Sequence, residues 1–123
     1  MTSSGSEASK PDAAANGWHM TPAAARKALA QVPAPFVDRF RHGTLEVEFF
    51  APRGVDTQQP HRRDEIYLVH AGCARFERAG EMVDVAPGDV LFVPAGMDHR
   101  FHAMSDDFET WVLFWGPEGG EAP

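Results

Sequence analysis

From residue 44 to residue 115 the chain consists of short apolar or alternating runs separated by glycine- and proline-containing turns. The run TLEVEFF (44–50) places Leu45, Val47 and Phe49 on one face and glutamates on the other. Turn signals follow at Ala79-Gly80, Pro87-Gly88-Asp89 and Pro94-Ala95-Gly96. A period of two over such short runs indicates half-buried β-strands, because an amphipathic helix requires a period near 3.6. This region is therefore predicted to be all-β, as one antiparallel barrel or sandwich.

The predicted elements divide the chain into one folded unit with two tails. Strands are predicted at 44–50, 65–71, 74–78, 82–85, 90–93, 99–103 and 108–115. A short helix from Pro22 to Gln31 precedes them, with Thr21 as its cap and proline at its first position. The predicted organisation is a disordered tail (1–17), a helix and connector (18–42), the barrel (43–116) and a flexible C-terminal tail (117–123).

Charge and cysteine content exclude several classes of protein. Eighteen acidic residues against 11 Lys and Arg give a net charge of −7, so neither nucleic acid nor an anionic membrane is an expected partner. The single cysteine, Cys73, excludes an intrachain disulfide and a cysteine metal cage. No apolar run is long enough to span a membrane, and the N-terminal stretch lacks a secretory apolar core. These features predict a soluble, cytoplasmic protein.

Two segments of the predicted barrel carry residues that can bind a metal ion. PHRRDE places His61 and Glu65 before and at the start of one strand, and GMDHR places His99 at the start of another. An antiparallel barrel can bring two such strand starts together. Imidazole and carboxylate groups are good ligands for Fe, Mn, Ni, Cu or Zn. Two histidines and one carboxylate would leave positions open for a substrate or for oxygen.

At these residues the chain resembles the cupins, in particular their small single-domain, RmlC-like members. The second cupin motif is G-x5-P-x-G-x2-H-x3-N. Gly88, Pro94, Gly96 and His99 match it with the expected spacing, and Ala103 replaces the final asparagine. The resemblance covers roughly residues 44–115 and implies a jelly-roll barrel of antiparallel strands.

The first cupin motif, G-x5-H-x-H-x3–4-E-x6-G, is only partly matched. His61, Glu65 and Gly72 fit its spacing, whereas Gln59 stands where the first histidine belongs. Gln59 is therefore a candidate for binding the ligand or cofactor. Three alternatives are open for it: a weak amide ligand, replacement by water, or a side chain that faces solvent. The resemblance implies a divalent metal ion inside one mouth of the barrel, held by His61, Glu65 and His99. It also extends to a subgroup with the pattern D-x-Q-x-P-H-x-x-D-E, which begins here at Asp56.

Strand alternation sorts the remaining polar and aromatic candidates by face. Tyr67 shares the face of Glu65, so its hydroxyl is available to the cavity. Phe101 shares the face of His99 and is predicted to line the barrel. Both are therefore candidates for binding a ligand or cofactor. His102 has the opposite parity to His99 and is predicted to lie at the surface.

The last predicted strand is apolar on both faces. Trp111, Leu113 and Trp115 share one face, and Val112 and Phe114 share the other. One face is expected to pack in the barrel interior. For the other face, packing within the chain and contact with a second copy are both open. A homodimer is the expected assembly.

Two functions from different classes are compatible with these residues. In the first, a metal-binding cupin acts on a small organic molecule in the barrel mouth, as an oxygenase, isomerase or decarboxylase. In the second, the cupin binds or senses a small molecule without catalysis. A metal-free cupin retained as a structural dimer is a third possibility. Fold alone does not choose among these functions.

Overall fold

The computed structural model describes residues 17–123, in which one short helix precedes eight β-strands. The helix is α1 (Pro22–Leu29). The strands are β1 (Phe36–His42), β2 (Leu45–Phe50), β3 (Asp64–Ala71), β4 (Ala74–Arg78), β5 (Glu81–Val85), β6 (Val90–Val93), β7 (His99–His102) and β8 (Glu109–Trp115). The predicted disordered tail, 1–17, lies outside the described residues except for Gly17.

The strands form two antiparallel sheets that share one apolar core. One sheet has the order β1-β2-β8-β3-β6, and the other has the order β5-β4-β7. Tyr67 of the first sheet packs edge-on against Phe76 of the second, with ring centroids 5.6 Å apart. The core residues are Phe50, Tyr67, Val69, Ala74, Phe76, Val85, Val93, Phe101, Phe108, Val112 and Phe114. The predicted all-β jelly roll with a short N-terminal helix is confirmed.

The structure corrects the predicted connector, because residues 36–42 form a strand. β1 pairs with β2 along its length, from Phe36 opposite Phe50 to His42 opposite Leu45. The pairing register shifts between Asp38 and Phe40. This bulge interrupts the period of two, so the sequence FVDRFRH does not show a clear alternation of apolar and polar residues.

Helix α1 decides which face of β2 points into the barrel. Thr21 caps it, its Oγ1 accepting the N–H of Ala24 at 3.2 Å, and the helix packs against β1 and β2. Val47 and Phe49 lie on the covered outer face and are buried. Glu46 and Glu48, which alternate with them along β2, consequently face the barrel interior. No helix within the described residues has the length and hydropathy of a membrane span.

The structure also differs from the predicted flexible C-terminal tail. The N–H of Gly119 donates to the carbonyl of Arg62 at 2.7 Å. The N–H of Glu121 donates to the carboxylate of Asp64 at 2.9 Å. That bond and a second from the N–H of Ala95 lower the pKa of Asp64. The tail is therefore tied to the start of β3, through acceptors that its own glycine-rich sequence does not show.

Candidate metal centre

The two motif segments are joined by backbone hydrogen bonds at the start of β3. The N–H of Gly96, in the turn between β6 and β7, donates to the carbonyl of His61 at 2.8 Å. In the same turn, the N–H of Ala95 donates to Asp64 at 3.0 Å. Because Gly96 precedes His99 by three residues, these bonds place the beginning of β7 beside the beginning of β3. Residues far apart in sequence thereby meet at one mouth of the barrel.

His61, Glu65 and His99 converge at this mouth. One ligand atom from each lies within 4.8 Å of the others. His99 Nε2 is 2.8 Å from Glu65 Oε1, and His61 Nε2 is 3.9 Å from the same oxygen. Glu65 and His99 are buried, whereas the His61 side chain is 33% exposed toward the cavity. The predicted convergence of these three residues is therefore present in the structure.

The polar atoms of Glu65 and His99 fit a bound cation. His99 Nδ1 lies 2.8 Å from the carbonyl oxygen of Met97, so Nδ1 carries the proton and a neutral ring offers a lone pair at Nε2. Both carboxylate oxygens of Glu65 and His99 Nε2 are buried without a hydrogen bond from any described residue. A buried carboxylate requires compensation by a second proton on His99 or by a metal ion. Two imidazoles and a carboxylate are a donor set for divalent transition metals.

The environments of the two histidines differ. Burial lowers the pKa of His61, although Glu65 opposes this change, so its ring is neutral and able to coordinate at neutral pH. Burial also lowers the pKa of His99, but the Glu65 carboxylate 2.8 Å from Nε2 and the Met97 carbonyl at Nδ1 outweigh that effect and raise the pKa overall. In the absence of a metal ion, a proton shared with Glu65 therefore stabilises the buried His99.

A cavity of about 660 Å³ opens beside the three residues. Its walls include Phe36, Glu46, Glu48, Phe50, Gln58, Gln59, His61, Glu65, Tyr67, Val112 and Phe114. Burial, together with Asp38 and Glu46, raises the pKa of Glu48 to about 8, so this carboxyl group keeps its proton at neutral pH. Glu46 pairs with Arg63 at 3.0 Å. The wall that faces the three candidate metal ligands is thus polar without a large net charge.

The predicted ligand-binding residues occupy different depths. Tyr67 is fully buried beside the cavity, and its hydroxyl donates to Gln58 Oε1 at 3.0 Å. Phe101 packs deeper, against Tyr67 and Phe108, and is not among the residues that line the cavity. It lies two positions after His99 along β7, so it shares the inward face but belongs to the core. Gln59 is exposed at the cavity mouth.

Two further polar residues at the site, Gln58 and Asp56, are not among the ligands predicted from the motifs. Gln58 Oε1 lies 3.1 Å from His61 Nε2, and Gln58 Nε2 donates to Asp56 at 2.6 Å. The spacing D-x-Q before the histidine is the signal that could have drawn attention to them. By contrast, His102 pairs with Glu77 at 2.7 Å on the outer face, as its parity predicts.

A family model and one curated protein match this chain in sequence. A family model described as a cupin domain matches residues 46–116. An uncharacterised protein of Streptomyces coelicolor is 44% identical over 63 residues, which are 51% of this chain and 60% of that protein. The chain thus spans about 60% of the length of this relative.

Two solved structures have a similar fold and more than 25% sequence identity to this chain. KdgF from Halomonas sp. superposes with a TM-score of 0.58 at 26% identity, over 65% of this chain and 76% of that one. The DMSP lyase DddQ from Ruegeria pomeroyi has a TM-score of 0.59 at 27% identity, over 66% of this chain and 46% of that one. The similarity covers about two thirds of this chain.

Proposed function

The chain belongs to the cupin family, and we propose that it is a cupin that binds a divalent metal ion and acts on a small organic molecule in its cavity. His61, Glu65 and His99 would hold the ion. The observation that carries this proposal is the fully buried Glu65, whose carboxylate faces two imidazoles and receives no hydrogen bond from the described residues. A divalent cation there would compensate the buried charge.

The cavity suits a small polar molecule that has an apolar part. A metal ion bound here would act as a Lewis acid toward an oxygen atom of that molecule. Burial raises the pKa of Tyr67, so its phenol stays protonated and keeps its hydrogen bond to Gln58 Oε1 beside the cavity. Glu48, with its pKa raised to about 8, can donate a hydrogen bond to the bound molecule at neutral pH. Val112 and Phe114 supply apolar walls that limit access of water to the bound molecule.

The reaction belongs to one of several classes that a metal-binding cupin could support. Oxygenation, isomerisation and decarboxylation are the predicted classes, and the structural relative DddQ is by name a lyase. A binding or sensing cupin is the alternative, and the observation favouring it is Gln59 at the position of the first motif histidine. Turnover of a substrate panel by the metal-loaded protein would separate the two functions.

We expect the protein, freed of metal by a chelator, to bind one equivalent of a divalent ion. Calorimetric titration with Mn²⁺, Fe²⁺, Co²⁺, Ni²⁺, Cu²⁺ and Zn²⁺ measures this binding. His99→Ala should weaken it at least about 100-fold, because one buried ligand is lost and Glu65 is left unpaired. An ion at about 100 times its Kd should stabilise the wild type by about 2.7 kcal/mol.

His102→Ala is the matched control, because His102 lies on the same strand but on the opposite face. It should bind metal as the wild type does. If the wild-type protein binds none of these ions, or if His99→Ala binds them equally well, the proposed metal site is wrong. Metal binding without turnover of any panel compound would contradict the enzymatic part and favour the binding function.

We also propose that a second copy of the chain covers the outer face of the five-stranded sheet. This apolar face consists of Ile66, Leu68, Val90, Phe92, Trp111, Leu113 and Trp115. Leu68 lies between Val90 and Trp111 in the strand register, and Val90 is 61% exposed. An exposed apolar face carried by neighbouring strands suits a two-fold interface in which the same surface serves both partners.

The double substitution Leu68→Glu/Val90→Glu should convert a dimer into a monomer, because it places four like charges at the two-fold interface. Light scattering after size exclusion should give twice 13.5 kDa for the wild type and 13.5 kDa for the variant. Val83→Glu, an exposed position on β5 of the other sheet, is the control and should remain dimeric. A wild-type mass of one chain would contradict the proposal.

A further inference from the structure

Gln58, in the loop between β2 and β3, points its side-chain oxygen at His61, one of the three candidate metal ligands. We propose that Gln58 Oε1 is a fourth protein ligand to the metal ion, and that the buried carboxylate of Asp56 positions it. This inference rests on the proposed metal site at His61, Glu65 and His99. It assigns to Gln58 the ligand role that the sequence had suggested for its neighbour Gln59.

The orientation of the Gln58 amide is determined by Asp56. The Asp56 carboxylate is buried, with 4% of the residue exposed, and Oδ2 accepts the Gln58 Nε2–H at 2.6 Å. The same carboxylate accepts the backbone N–H of Gln58 at 3.1 Å and that of Phe101 at 2.8 Å. An ionised carboxylate only accepts hydrogen bonds, so it selects the NH₂ end of the amide. The oxygen end is therefore directed away from Asp56 and toward the site.

The surroundings of Gln58 Oε1 suit an atom that shares an ion with His61. Tyr67 donates its hydroxyl hydrogen to this oxygen at 3.0 Å. His61 Nε2 lies 3.1 Å from it. If Nε2 coordinates a metal ion it carries no proton, and two lone-pair atoms then face each other at that distance. A cation between them resolves the conflict.

The distance between these two atoms is also the one expected for adjacent ligands. Two ligands with bonds of about 2.1 Å at a right angle are separated by about 3.0 Å. His99 Nε2 and Glu65 Oε1, at 2.8 Å, have nearly the same spacing. Gln58 is thus placed beside His61 as Glu65 is placed beside His99. By contrast, Gln59 has an exposed side chain and makes no side-chain hydrogen bond to a described residue.

An amide oxygen in place of an imidazole changes which metals the site prefers. The donor set becomes two nitrogen atoms and two oxygen atoms. The carboxylate oxygen of Glu65 carries its only negative charge. Oxygen donors favour harder ions such as Mn²⁺ over copper, relative to a site with three imidazoles. We therefore expect Gln58→His to shift relative affinity from Mn²⁺ toward Cu²⁺, because it exchanges oxygen for nitrogen in the set.

Gln58→Leu tests the ligand role directly, with Gln59→Leu as the matched control. Competition with a chromogenic chelator measures Co²⁺ affinity, and a crystal structure of the Co²⁺-loaded wild type measures the metal–oxygen distance. We expect Gln58→Leu to weaken Co²⁺ binding about 10- to 100-fold and Gln59→Leu to leave it nearly unchanged. In the loaded crystal, Gln58 Oε1 should lie about 2.0–2.2 Å from the ion.

Asp56→Asn provides a second variant, because asparagine cannot accept all three hydrogen bonds. It should weaken Co²⁺ binding and change the visible Co²⁺ spectrum, which depends on the ligands around the ion. The inference is overturned if Gln58→Leu binds Co²⁺ as the wild type does, or if Oε1 in the loaded crystal still contacts His61 and not the ion. These outcomes differ from failure of the proposed function, in which the wild type itself binds no metal.

Discussion

Glu65→Gln is expected to abolish metal binding and yet leave the metal-free protein as stable as the wild type, or more stable. Glutamine has nearly the same shape, and its NH₂ group can donate to His99 Nε2, which is 2.8 Å from the carboxylate oxygen. The variant thus removes a buried charge and supplies a neutral donor to Nε2, so that neither side chain is left buried and unpaired. Because His99 can stay neutral with its proton on Nδ1, the substitution leaves no uncompensated charge in the core, and the new hydrogen bond contributes about 1 kcal/mol.

The metal affinity of Glu65→Gln should fall at least about 100-fold, because the only anionic ligand of the proposed site is lost. Thermal unfolding with and without added metal measures both effects. The metal-dependent rise in Tm should disappear, while the metal-free Tm should not decrease.

Glu77→Gln is the matched control, since Glu77 also lies 2.7 Å from a histidine, but at the surface. It should keep the metal-dependent rise in Tm and change stability by less than about 1 kcal/mol. A Glu65→Gln protein that binds metal normally, or that unfolds without metal under conditions where the wild type is folded, would show that Glu65 is a structural residue.

Gly72→Ala is expected to destabilise the fold by about 3–5 kcal/mol, the second large effect. A Cβ atom at this position would lie 2.5 Å from Ser105 Oγ and 2.6 Å from the backbone Cα of Phe108. Phe108 is fully buried, and Ser105 is held by hydrogen bonds with Cys73 at 2.9 Å, so neither can easily move. The φ angle of +76° adds strain for any residue with a Cβ. Denaturant unfolding measures the loss.

Gly80→Ala separates the two causes of this destabilisation. Gly80 also has a positive φ, +87°, but an added Cβ would meet no atom within 4 Å. This variant should therefore lose only about 1 kcal/mol, the cost of the backbone conformation alone. If the two variants lose equal amounts of unfolding free energy, the close approach of the Phe108 segment to Gly72 is not a cause of the destabilisation in Gly72→Ala.

Most strands could be predicted from local sequence, whereas β1 could not. The predicted strand at 65–71 corresponds to Asp64–Ala71, and the one at 74–78 corresponds to Ala74–Arg78. These runs are regular and are bounded by glycine or proline, so their period is visible over a few residues. In β1 the bulge between Asp38 and Phe40 breaks the period. Its pairing with β2 becomes evident only when the two strands lie side by side.

The candidate site, too, could be predicted only in part, because local sequence does not show which of two neighbouring glutamines faces the metal ligands. Motif spacing pointed to Gln59, and the structure places Gln58 against His61 and Tyr67. Residues 51–63 form a loop without regular alternation, so parity along the chain does not say which side chain points inward. The acceptor that orients Gln58, the buried carboxylate of Asp56, is itself held by the distant N–H of Phe101.

The sequence by itself determined the β-class of the chain, the positions of its turns and the identity of the three candidate metal ligands. Those properties depend on short-range periodicity and on the spacing of His61, Glu65 and His99 about recognisable turns. Only the tertiary structure decided that the glutamates of β2 face inward and that the C-terminal tail is held at β3. The physical reason is that both depend on what covers a residue: helix α1 occupies the outer face of β2, and Asp64 needs donors from remote backbone.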